Sequence, residues 1–107
     1  MQIEDLSLEY IAGMMDTAGK IELADFFEGD KDNPIVEVML PDKRVAMFFK
    51  KRWRANVNKH DVNWLVKFGV LSMQAFLPEI LPHLRIKDKQ AVEVLGYLNG
   101  IPNATKV

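Results

Sequence analysis

The stretch LEYIAGMMDTAGKIEL, residues 8–23, constrains the chain most, because its hydrophobic period changes in the middle. Leu8, Ile11, Ala12 and Met15 recur at helical spacing, whereas Ile21 and Leu23 alternate with polar residues as in a strand. Ser7 is a helix N-cap by type, with Glu9 in the first turn where the helix dipole favours negative charge. Gly19 is the stop signal. A helix feeding almost directly into a half-buried strand excludes an all-α or all-β chain and asks for a sheet covered on one face.

The same patterns continue downstream. Strand IELADFFE is followed by a turn at GDKDNP and by a second strand, IVEVML, whose apolar face is Val36, Val38 and Leu40. A helix is expected from Arg44 to about Arg52, with Val45, Phe48 and Phe49 as its stripe. WRANVN and DVNWLVKF read as an antiparallel pair joined across Lys59 and His60, with Trp53, Ala55, Val57, Val62, Trp64, Val66 and Phe68 turned inward. SMQAFLPEILPHL is helical in spacing, with Pro78 expected in a first turn or at a break, and a last helix runs from Lys89 to about Leu98. The order α-β-β-α-β-β-α-α specifies an α+β fold with a four-stranded antiparallel sheet, residues 1–107 forming one domain.

Composition narrows the chemistry. With no cysteine and only His60 and His83, disulfides, thiolate catalysis and Cys/His zinc centres are excluded, and any metal would be a hard ion on carboxylates. The absence of a long apolar run or of a signal-peptide start makes an intracellular, cytoplasmic protein the expectation, or one of an organelle or a phage-infected cell, with no membrane partner. The net charge of −1 conceals a division: residues 1–32 hold nine acids against Lys20 and Lys31, while KRVAMFFKKRWR, residues 43–54, holds six basic residues and no acid. That run is either a solvated helix face or a phosphate-contacting patch.

IAGMMDTAG, residues 11–19, resembles the signature of the LAGLIDADG homing endonucleases, and LPHLRIKDKQAVEVL, residues 81–95, resembles their C-terminal segment. The resemblance implies a homodimer packed through the motif helix, with Ile11, Ala12, Gly13, Met15 and Asp16 at the interface, and a sheet that binds double-stranded DNA. Small residues suit such a crossing because they let two backbones approach. It also implies a catalytic acid holding divalent metal just before the last glycine of the motif, where this chain has Ala18. Lys87 matches the lysine near the family's active site, and Lys20 adds a cation where metal would sit. Binding with cleavage lost or much reduced is therefore expected, with no cofactor. An active, magnesium-dependent endonuclease using Glu22 or Asp16 is the alternative.

The outward strand residues divide in two. Arg54, Asn56, Asn58, Asn63 and Lys67 suit DNA, joined by Lys43, Arg44 and Lys87 on the basic half of the molecule. Glu22, Phe26, Glu28, Ile35, Glu37 and Met39 suit a protein partner better, which supports a third reading, a non-enzymatic interaction module.

Overall fold

A computed structural model describes residues 6–27 and 30–100, with side chains described for 6–24 and 33–100. Helix α1, Leu8–Ala18, starts at Ser7, whose side chain accepts the Tyr10 N–H at 3.1 Å. Strand β1, Gly19–Phe27, begins with no residue between it and the helix. Gly19 makes this possible through space rather than through its φ of −85°: a Cβ there would lie 2.8 Å from Met15 Cα and 2.9 Å from the Met15 carbonyl oxygen. The remaining elements are β2 Asp30–Leu40, α2 Lys43–Trp53, β3 Asn56–His60, β4 Asn63–Lys67, α3 Val70–Ile80, a 3-10 turn Leu81–His83 and α4 Asp88–Asn99.

The four strands form one antiparallel sheet in the order β1-β2-β4-β3. Ile21, Val36, Val38, Leu40 and Val66 are buried under the helices, which supply Ile11, Met15, Phe49, Phe76, Leu77, Ile80, Val94 and Leu98 to the same core. Phe76 anchors an aromatic cluster, stacked on Phe68 at 4.3 Å between centroids and edge-on to Trp53 at 4.6 Å. Such pairs add about 0.5–1.5 kcal/mol each beyond the area they bury. Among the described residues, four α-helices on one face of a four-stranded sheet bear out the expected α+β class. Among the described residues no helix is long and apolar enough to cross a membrane.

Four local expectations are corrected. Asp30–Pro34, read as turn, belongs to β2 and pairs with β1. Pro34 is tolerated there because β4 pairs only with Glu37–Leu40, so the missing N–H costs no ladder bond. Trp53 ends α2 rather than opening β3, and Arg54 caps that helix in the left-handed region, φ 59°. The hairpin turn falls at Asp61–Val62, closed by the pair His60–Asn63, which leaves Val62 82% exposed instead of inward. Asp61 takes φ 59°, a conformation that aspartate accepts more readily than most side chains. Finally, Pro78 sits near the end of α3, exposed, and the helix gives way to the 3-10 turn after Ile80.

Candidate functional site

The outward sheet face is built by alternation from the buried set. It carries Lys20, Glu22 and Ala24 on β1, Ile35, Glu37 and Met39 on β2, Asn63, Leu65 and Lys67 on β4, and Asn56, Asn58 and His60 on β3. Register places Lys20, Glu37, Lys67 and Asn56 in one row across all four strands, and Met39, Leu65 and Asn58 in the next. Lysines thus flank Glu37 on both sides, and Lys20 also pairs with Glu22 at 3.2 Å. The described part of this face carries as many carboxylates as ammonium groups. Phe26 and Glu28 lie outside the described side chains. His60 was missed from the sequence because it was assigned to the turn; counting by twos from Asn56 finds it.

The basic residues of α2 divide by partner. Asp42, the N-cap of α2, accepts the Arg44 N–H at 2.8 Å and pairs with the Arg44 guanidinium at 3.1 Å. Arg52 pairs with Glu79 at 2.6 Å, and the same carboxylate accepts Trp53 Nε1–H at 2.8 Å. The Arg52 and Trp53 hydrogen bonds hold the Glu79 carboxyl below its ordinary range, against the opposing effect of burial. Lys43 lies over the Trp64 ring at 5.1 Å. Lys50, Lys51 and Arg54 make no ion pair among the described residues. Arg54 stands at the helix end, so its expected place on the outward strand is corrected. A polar cavity of about 470 Å³ brings Lys50 together with Asn56, Asn58 and Lys67, three of the residues assigned to DNA from the sequence.

At the other end of the core, α1 is tied to the turn before α4. The Asp16 carboxylate accepts backbone N–H groups from Arg85 at 2.8 Å, Ile86 at 3.2 Å and Lys87 at 2.9 Å. In return Lys87 Nζ donates to the Asp16 carbonyl at 2.6 Å, satisfying an oxygen in the last turn of α1. Burial pushes the Asp16 carboxyl up, but the three N–H bonds and the Lys87 charge outweigh it and leave it below its ordinary value. Ala18, exposed at the helix end, offers a methyl group. This donor set does not fit a hard divalent ion: the Asp16 oxygens are engaged, Ala18 has none, and Glu22 is paired with Lys20.

The residues expected at a dimer interface are not together on one surface. Ile11, Ala12 and Met15 are fully buried in their own chain and Asp16 is 9% exposed, so these four are corrected to core and clasp positions. Gly13 alone of the five is exposed, with open space where a Cβ would project. The outer edge of α1 is Tyr10, Gly13, Thr17 and Ala18, with Met14 half-buried. The helical period identified the apolar stripe correctly; nothing in it distinguishes a core neighbour from a second copy.

No protein-family model and no curated protein matches the chain. Among solved structures, the homing endonuclease I-CvuI with the I-CreI target in 2 mM Mg, its DNA not cleaved, superposes with TM-score 0.75 at 23% identity, covering 96% of this chain and 72% of that one. I-CvuI with its own target in 2 mM Ca gives TM-score 0.73 at 24% identity, covering 94% and 70%. Element order, sheet pairing and these superpositions agree that the chain has the LAGLIDADG homing-endonuclease fold.

Proposed function

We propose that the chain is a single-domain LAGLIDADG relative that binds double-stranded DNA as a homodimer and has lost metal-dependent cleavage. The carrying observation is the exposed end of α1, where Ala18 presents no oxygen, both Asp16 oxygens accept backbone N–H groups, and the Lys87 ammonium sits on the Asp16 carbonyl. Duplex binding is supported by the fold shared with I-CvuI, whose structures hold DNA, and by the cations and asparagines of the β3–β4 half. Dimerisation is supported by Gly13, a helical glycine that costs about 1 kcal/mol relative to alanine and has no close neighbour in its own chain to require it.

Three measurements test this reading. The parent should sediment as a dimer and Gly13→Leu as a monomer; a monomeric parent removes the dimer from the proposal. Duplex affinity should fall steeply with salt. Supercoiled DNA with magnesium or manganese should stay intact with the parent, and Ala18→Asp should introduce divalent binding detectable by calorimetry. Cleavage by the unmodified protein would restore the active reading, with Glu22 or Asp16 as ligand. Salt-insensitive or absent duplex binding would favour the protein-binding module, for which the neighbouring Met39 and Leu65 and the balanced charge of the sheet face are the supporting features.

A further inference from the structure

The cavity of about 470 Å³ lies where α2, the start of β3, the end of β4 and the start of α3 meet. Its lining is Lys50, Asn56, Val57, Asn58, Lys67, Phe68 and Gly69: two cations, two primary amides and no carboxylate. Neither lysine makes an ion pair among the described residues, although Glu37 stands across the strand from Lys67. Two lysines lining one space, Lys50 from α2 and Lys67 from β4, make it a region of positive potential that an anion would neutralise. The asparagine amides add neutral donors for further oxygens. A tetrahedral oxyanion uses such a set better than a planar carboxylate does, because it offers acceptors in several directions. Helix α3 begins at the cavity wall with no side-chain cap, so its first-turn N–H groups reinforce the positive potential, and Gly69 leaves that approach open.

Position decides which phosphate. Asn56, Asn58 and Lys67 belong at once to the cavity and to the outward sheet face. We propose that the cavity seats one backbone phosphate of a duplex lying over that face, held between Lys50 and Lys67 and oriented by Asn56 and Asn58. This rests on the duplex-binding reading above. The contact carries no base information; it fixes where β3 and β4 stand along the groove.

The test is duplex affinity as a function of salt, measured by fluorescence anisotropy on two unrelated mixed-sequence duplexes, for the parent, Lys50→Gln, Lys67→Gln and Lys50→Arg. Losing one phosphate contact should flatten the log–log salt slope by about 0.9 and weaken binding about fivefold at physiological salt, equally on both sequences. Lys50→Arg should keep the parent slope. If the parent binds duplex with a salt slope that neither glutamine variant alters, the phosphate assignment is wrong while the duplex reading stands. If the parent does not bind duplex at all, the duplex reading itself fails and takes this assignment with it. A Gly69 amide resonance that responds to inorganic phosphate in the parent but not in Lys50→Gln, with duplex slopes unchanged, would assign the cavity to free phosphate and overturn the duplex source.

Discussion

Removing the Asp16 carboxylate should cost this fold more than any other single polar change described above. Its two oxygens accept three backbone N–H groups, at 2.8, 3.2 and 2.9 Å, in a site where the residue is only 9% exposed. A hydrogen bond to a charged group contributes about 1.5–3 kcal/mol, but three bonds sharing one carboxylate do not add in full. Asp16→Ala strands three donors and should lose about 3–5 kcal/mol, or roughly 12–30 °C in Tm at this size, which takes much of a small domain's stability. Asp16→Asn keeps one acceptor oxygen and should lose about 2 kcal/mol, so it remains folded and measurable. Urea unfolding followed by tryptophan fluorescence reads both. The carboxyl is lowered in the folded chain, so its contribution is complete above the unfolded value near 3.8 and disappears as pH falls through the native one. The gap between parent and Asp16→Asn should therefore be full at neutral pH and narrow progressively as pH falls below about 4. A gap under about 0.5 kcal/mol at neutral pH, or one that persists undiminished in acid, would refute the clasp as a charge-dependent device.

Gly19→Ala should destabilise by about 2–3 kcal/mol in the same urea assay, since its Cβ would meet Met15 Cα at 2.8 Å and the helix end cannot retreat from the strand; a neutral result would mean that the junction is looser than described. Glu79→Gln should cost only about 1 kcal/mol, because the Arg52 and Glu79 side chains are 43% and 38% exposed, and a loss of several kcal/mol would contradict that screening. Arg54→Gly should stabilise the fold by about 0.5–1 kcal/mol, through relief of the left-handed φ of 59°, and a loss would show that the Arg54 side chain matters more than its backbone.

What could be read from the sequence was what periodicity and stop signals encode locally. The α1–β1 junction was visible because the period changes at Gly19, and the inward set Ile21, Val36, Val38, Leu40 and Val66 followed from alternation. Asp30–Pro34 looked like a turn because Asp, Asn and Pro disfavour a fully paired strand, and only the short reach of β4 makes a half-paired one available to them. The end of α2 was hidden because Arg54 adopts a conformation that its residue type avoids. Asp16 is read from the sequence as an interface residue or a metal ligand, because its three donors lie at sequence separations of 69 to 71 residues, beyond any local pattern. That Lys50 and Lys67 line one cavity likewise follows from the packing of α2 on β4, which no spacing along the chain reveals.

The reciprocal tie between Asp16 and Lys87 also sets how long a folded molecule stays folded. It joins residues 71 apart, and closing a loop of that length costs about 4 kcal/mol of chain entropy before any bond is gained. The β1–β2 and β3–β4 hairpins close over far shorter spans, so the tie is expected to form after them and to show low φ-values on substitution of Asp16. Weakening it by about 2 kcal/mol should then leave the folding rate nearly unchanged and speed unfolding about 30-fold. On that expectation, the strength of the tie between α1 and the start of α4 would govern escape from the native state rather than arrival at it.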